Sequence, residues 1–149
     1  MGESFHIPLF IQAEEGRGLD HPLSIKVSMK SPKSILIVDD DRDALLLLGD
    51  RLDAMGYDVL TATNGEEGLE VLQSQSVDGV LLDLNMPAMG GIAFLEKLGR
   101  SSATPPVIVM SAIKNRSELL QAILKGATDF LIKPIDQDEL ASKCFRLFQ

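Results

Sequence analysis

The stretch Val77-Asp78-Gly79-Val80-Leu81-Leu82-Asp83-Leu84-Asn85-Met86-Pro87-Ala88-Met89-Gly90-Gly91 decides the fold. Its apolar run, Val80-Leu81-Leu82, suits a parallel strand buried on both faces. Asp83 ends that run. An unpaired carboxylate is costly to bury, so Asp83 belongs where the strand emerges. Asn85, Pro87, Gly90 and Gly91 then force a loop. The result is a single acid at the carboxyl end of a central strand, where open α/β sheets bind ligands. On this segment alone, an Asp that merely opens a turn is an equal reading. The flanking segments decide between the two.

Toward the N-terminus, Ser34-Ile35-Leu36-Ile37-Val38 is a β-branched apolar run and predicts a strand. Asp39-Asp40-Asp41 follow at once, then a helix over Arg42 to Met55. Ala44, Leu48, Leu52 and Met55 recur on one helical face, and Gly56 supplies the stop. Tyr57 to Thr61 predicts a short strand, and Asn64-Gly65 turns into a helix from Glu66 to Gln73. Toward the C-terminus, a helix is predicted over Ile92 to Leu98. Pro105-Pro106 introduce the strand Val107-Ile108-Val109-Met110, which ends at Ser111. Asn115 with Glu118 makes a capping-box-like start to a helix that ends at Gly126. Asp129-Phe130-Leu131-Ile132 predicts another strand, followed by Lys133-Pro134. Asp136 with Glu139 caps the last helix, which carries Leu140, Cys144 and Leu147. Strands and helices alternating with short connections predict an α/β fold: a doubly wound (βα)5 sandwich around a five-stranded parallel sheet.

The chain has 149 residues, which suits one domain, and its hydrophobic fraction of 45% is ample for a core. Fourteen Lys and Arg oppose 22 Asp and Glu, a formal net charge of -8. An acidic domain of this kind is not expected to bind nucleic acid or an anionic membrane directly. The single cysteine, Cys144, excludes an internal disulfide and reads as a buried helical thiol. No apolar run reaches the roughly 18 residues of a membrane span. The N-terminus makes a poor signal peptide, so a cytoplasmic location is expected.

Residues 1–32 differ from the rest. Phe5, Ile7, Leu9 and Ile11 recur at every second position, as do Leu23, Ile25 and Val27, and Glu14 to Gly18 reads as a turn. This leader is a disordered extension, native or of cloning origin, or a small β-hairpin appended to the domain at 33–149. Met29 offers an alternative start.

Asp39 and Asp40 follow one predicted strand, while Asp83, Ser111 and Lys133 end others, so all five fall on one edge of a parallel sheet. If the first and third of these strands are neighbours, three carboxylates converge. Such a cluster raises a pKa or recruits a cation, and its hard oxygens favour Mg²⁺. Lys133 adds a point charge for a phosphoryl oxygen, and Ser111 adds a hydroxyl donor. Each residue also has a plain reading: acids favouring the positive end of the first helix, a solvated lysine, a strand-end serine. Their coincidence at strand ends weighs against accident. No Gly-rich phosphate loop is present, and both histidines, His6 and His21, lie in the leader.

At this point residues 33–149 resemble a response-regulator receiver domain of two-component signalling. The resemblance rests on Ile-Leu-Ile-Val-Asp-Asp at Ile35 to Asp40, Leu-Leu-Asp-Leu-Asn-Met-Pro at Leu81 to Pro87, Val-Met-Ser-Ala at Val109 to Ala112, and Phe-Leu-Ile-Lys-Pro at Phe130 to Pro134. It implies the flavodoxin-like strand order 2-1-3-4-5, known for this family. It further implies that Asp83 accepts a phosphoryl group from a histidine kinase or histidine phosphotransfer protein. Asp40, Asp83 and the Asn85 carbonyl would hold Mg²⁺, with Asp39 acting through water, and Lys133 would neutralise charge. Ser111 takes the position of the switch hydroxyl and Phe130 that of the aromatic switch. The Lys133–Pro134 bond is expected to be cis, which would aim the Lys133 amine back at Asp83.

The sequence departs from the family pattern in places. Gly90 stands where an acidic residue is common, leaving the following helix with a weaker cap. Leu45 to Leu48 cannot all face the core, and Leu46 should be the most exposed. The leader has no counterpart, and an output domain would lie outside this chain, with a homodimer another expected arrangement. Two other readings stand beside the signalling one: a receiver-like interaction module that does not use phosphorylation, and an independent Mg²⁺-dependent phosphohydrolase. The signalling reading expects no enzyme beyond self-phosphorylation and self-dephosphorylation.

Overall fold

The computed structural model describes residues 9–14, 24–29, 31–86, 89–99 and 104–148. In the leader, β1 (Leu9–Glu14) and β2 (Ser24–Met29) pair antiparallel, with Leu9 opposite Met29 and Glu14 opposite Ser24. The hairpin alternative is thus the one the backbone adopts at these residues. The expected turn at 15–18 and the alternating Phe5 and Ile7 lie outside the described residues.

From Ser34 the chain alternates as its periodicity requires: β3 (Ser34–Val38), α1 (Arg42–Ala54), β4 (Asp58–Ala62), α2 (Gly65–Ser74), β5 (Gly79–Asp83), α3 (Gly91–Leu98), β6 (Val107–Ala112), α4 (Arg116–Leu124), β7 (Asp129–Lys133) and α5 (Gln137–Leu147). The five core strands are all parallel, in the order β4-β3-β5-β6-β7. Counting only these strands, that is the 2-1-3-4-5 order the resemblance implied.

Period two explains why the strands read as unbroken apolar runs. Ile35 and Ile37 point to one face and pack with Leu81, Ile108 and Leu131 under α1 and α5. Leu36 and Val38 point to the other and pack with Val80, Leu82 and Val109 under α2, α3 and α4. Both faces are covered, so both registers must be apolar. Each such side chain taken from water is worth about 1.5–3 kcal/mol.

The caps follow local chemistry with one exception. The Asp41 carboxylate accepts the N–H groups of Asp43 and Ala44 and starts α1, so the plain helix-capping reading holds for this acid. Asn64 accepts the Glu67 N–H at 2.8 Å, and Asp136 accepts the Glu139 N–H at 2.9 Å. Gly56 and Gly126 stop α1 and α4 at φ of 93° and 108°, a left-handed conformation that side chains disfavour. The expected cap at Asn115 does not form. A 3-10 turn, Ile113–Asn115, runs straight into α4, so Asn115 (φ -101°, ψ 43°) lacks the extended backbone that an N-cap needs.

On α1 the buried face is Leu45, Leu48 and Leu52, rather than one beginning at Ala44. Leu46 is the most exposed of the four leucines at 67%, with Leu47 at 55%. Gly90 caps α3 without any side-chain hydrogen bond, as its lack of a side chain dictates. Cys144 is buried on α5, and that burial pushes its thiol up to about 12, so it stays protonated and inert. No described helix is long and apolar enough to cross a membrane.

Candidate functional site

Strand register builds the site. Val38 pairs with Leu82, so Asp39, one residue past β3, lands beside Asp83, the last residue of β5. Asp83 pairs with Met110, one residue before Ser111. Ala112 pairs with Lys133, the last residue of β7. Parallel strands that stop together thus deliver Asp39, Asp83, Ser111 and Lys133 to one edge, as the sequence predicts. Asp39, Asp83 and Ser111 are buried, and Asp40 is exposed at the rim.

The Lys133 ammonium lies 3.2 Å from Asp83 Oδ1 and 3.9 Å from Asp39 Oδ2. The Lys133–Pro134 peptide is cis, in agreement with the resemblance. Asp83 Oδ1 also accepts the Asn85 N–H at 3.1 Å, so the loop after β5 folds back over its own acid. Gly91 makes that fold possible. A Cβ there would stand 2.7 Å from Leu84 Cα and 2.9 Å from the Asp83 carbonyl oxygen. Pro87 of the same loop lies outside the described residues.

Asp39 carries the electrostatic tension of the site. Burial, opposed by the Asp41 N–H and reinforced by the nearby Asp83 charge, pushes its carboxyl up to about 6, with Lys133 pulling the other way. Its Oδ1 accepts the Asp41 N–H at 2.9 Å, while its buried Oδ2 has no hydrogen-bond partner among the described residues. Oxygens of Asp39, Asp40 and Asp83 lie within 4.8 Å of one another. A buried acceptor without a donor, in a trio of hard oxygens, is a donor set that suits a small divalent cation. The residues present therefore fit Mg²⁺.

Ser111 Oγ is likewise buried without a hydrogen-bond partner among the described residues, a hydroxyl with its donor unspent. Phe130 sits outward on β7, 39% exposed. It lines a groove of about 400 Å³ together with Ile113, Leu120 and Ile123. Sequence reasoning missed the residue that meets Phe130 here. Lys143, on α5, places its ammonium 4.7 Å from the Phe130 ring centroid. The one sequence hint was its position four residues after Glu139, with which it pairs at 3.0 Å.

A doubly wound parallel sheet with an acid trio, a lysine and a buried hydroxyl at its carboxyl edge defines a signalling receiver. The comparisons agree: residues 35–145 match the response regulator receiver domain, and the chain belongs to that family, the phosphoacceptor module of two-component signalling. The chain is 40% identical over 109 residues to the transcriptional regulatory protein GlrR of Escherichia coli (strain K12), spanning 73% of this chain and 24% of that protein. It is 39% identical over 106 residues to the transcriptional regulatory protein ZraR of the same strain, 71% of this chain and 24% of that protein. It thus spans about a quarter of the length of these regulators. Among solved structures, the chemotaxis protein CheY4 of Vibrio cholerae superposes with a TM-score of 0.73 at 27% identity, covering 78% of this chain and 99% of that one. The signal receiver domain of a signal transduction histidine kinase from Syntrophus aciditrophicus gives a TM-score of 0.73 at 30% identity, covering 78% and 89%.

Proposed function

We propose that Asp83 is the phosphoacceptor of this receiver. In the reaction, an Asp83 oxygen attacks the phosphorus of a phosphohistidine, the P–N bond breaks, and an acyl phosphate forms on Asp83. The donor is a histidine kinase or a histidine phosphotransfer protein. The observation that carries the reading is the Lys133 ammonium 3.2 Å from Asp83 Oδ1, with Asp39 Oδ2, which has no hydrogen-bond partner among the described residues, 3.9 Å from the same ammonium.

Asp39, Asp40, Asp83 and the Asn85 carbonyl are the groups that would hold Mg²⁺. When bound, the ion supplies positive charge against the oxygens of the transferring phosphoryl group. Lys133 supplies a second positive charge, and being already held beside Asp83 at the end of β7 it needs little reorganisation. Ser111 moves to donate its hydroxyl to a phosphoryl oxygen once one is present, and Phe130, outward on the adjacent β7, rotates inward to fill the space vacated beneath β6. Among the described residues the acids beside Asp83 are Asp39 and Asp40, the same ones assigned to the cation, which supports a phosphoacceptor rather than an enzyme acting on other molecules. We place it in the cytoplasm, with an output domain or a second copy as the reader of its state, and with no direct nucleic acid or membrane contact.

Incubation with acetyl phosphate and Mg²⁺, followed by intact-mass and peptide analysis, tests the reading. One stable phosphoryl group on Asp83 is the expected result. No label would favour the phosphorylation-independent module, and steady turnover of donor without label would favour the phosphohydrolase.

A further inference from the structure

Lys143 makes an unusual set of contacts for a lysine on an outer helix. Its side chain is only 15% exposed. The ammonium pairs with Asp129 at 3.2 Å and Glu139 at 3.0 Å, and it donates to the Phe130 carbonyl oxygen. It also stands over the Phe130 ring, 4.7 Å from the centroid. The carboxylate of Asp129 is held in turn by Arg146 at 2.7 Å and accepts the Phe130 N–H at 2.7 Å. Phe130 lies on the edge strand β7, and both its backbone polar groups are thus satisfied by this network. The ring itself is the part left free to choose between the surface and the interior.

The surroundings make the ammonium decisive. The groove beside the ring is lined by Ile113, Leu120 and Ile123 together with Arg116, and Lys143 places its cation over the ring face, 4.7 Å from the centroid. The cation, partly desolvated and fixed by two carboxylates, attracts the ring face in the outward position that the ring occupies. An inward ring would leave the ammonium its carboxylates and the Phe130 carbonyl but forfeit the ring contact. The cation therefore favours one rotamer without being required for the strand or the helix.

We propose that Lys143 is a positioning residue that clamps Phe130 outward and sets the threshold of the switch. The inference rests on the reading of Phe130 as the group that moves inward when Asp83 is phosphorylated. A cation over an aromatic face at a partly exposed site shifts a two-state ratio by about 2–5-fold, enough to matter where the competing states lie close. Because both states belong to one equilibrium, loosening the clamp raises the inward population before any phosphate arrives.

The test is NMR of the phenylalanine rings in the full chain, with the Phe130 signal assigned through Phe130→Leu. The parent is compared with Lys143→Met, Lys143→Gln and Lys143→Arg, first without a donor and then with acetyl phosphate and Mg²⁺. In Lys143→Met and Lys143→Gln the unphosphorylated Phe130 signal should move part of the way toward its position in the phosphorylated parent, a change of about 2–5-fold in population. Lys143→Arg keeps a cation and should restore the parent signal. An unmoved Phe130 signal in folded Lys143→Met and Lys143→Gln, while the parent signal still moves on phosphorylation, would overturn the clamp and leave the switch reading intact. A parent signal that ignores phosphorylation of Asp83 would overturn the switch reading itself, and the clamp with it.

Discussion

The Lys133 ammonium stands 3.2 Å from Asp83 Oδ1 and 3.9 Å from Asp39 Oδ2, so one cation faces two buried carboxylates. Two charges of like sign this close would otherwise repel strongly in a poorly solvated setting. The lysine is half of what makes the acid pair tolerable, and it becomes the natural partner of a third negative group.

Removing that charge should therefore spare the fold and damage the chemistry. Lys133→Met keeps the stem but leaves the phosphoryl oxygens without their fixed donor. Loss of one such donor costs on the order of 10²-fold in rate. Kinetics of labelling by acetyl phosphate at saturating Mg²⁺ measure it. A rate within a few-fold of the parent would mean that Lys133 is only a structural counter-ion.

Asp39 gives the domain a particular pH dependence. Its carboxyl titrates at about 6 when folded against an ordinary 3.8, so between these values the folded state binds the proton more tightly. Stability from this group is complete below about pH 4 and is lost as pH rises through about 6, by roughly 3 kcal/mol at most. In metal-free thermal unfolding, the stability of the parent relative to Asp39→Asn should fall across that window, and Mg²⁺ at neutral pH should recover part of the loss. A difference that is flat or rises with pH would contradict the assignment.

Ser111→Ala separates chemistry from signalling. The buried hydroxyl is not needed for attack by Asp83, so phosphoryl uptake should stay within about tenfold of the parent, the effect of one neutral hydrogen bond. Chemical shifts around Phe130 should respond much less to phosphorylation. If they respond in full, the route from the site to the groove does not pass through Ser111.

Gly91→Ala tests the loop that roofs the site. The new Cβ would meet backbone atoms, Leu84 Cα at 2.7 Å and the Asp83 carbonyl oxygen at 2.9 Å, which cannot swing aside as a side chain can. A loss of about 1–3 kcal/mol in stability is expected, with displacement of Asp83 slowing its labelling. Gly90→Ala is the control, because its Cβ comes no closer than 3.8 Å to the Met86 carbonyl oxygen. Equal tolerance of both substitutions in denaturant titrations would sink this account of the loop.

Much of this molecule is legible in the sequence, for identifiable physical reasons. Runs such as Ile35 to Val38 announce strands buried on both faces, and the acids at the ends of two of them, Asp39 and Asp83, mark the edge at which ligands bind. The family motifs then fix the neighbour relationships that periodicity leaves open, which is how Asp39 and Asp83 could be set together. What escaped depends on tertiary contact. Asn115 and Glu118 have the spacing of a cap, yet the preceding 3-10 turn denies Asn115 the necessary backbone. Ala44 fits the periodic face of α1, but the sheet meets the helix at Leu45 instead. Lys143 reads as an ordinary surface lysine, since nothing local reveals the ring it will cover.

Site-resolved phosphorylation of the parent and of Asp83→Asn tests the central claim most directly. Asparagine keeps the shape of the side chain and removes its nucleophilic carboxylate. With acetyl phosphate and Mg²⁺, the parent should carry one base- and hydroxylamine-labile acyl phosphate on the peptide that contains Asp83, and folded Asp83→Asn should carry none. Undiminished labelling of the mutant, or a parent label on a different residue, would contradict the account.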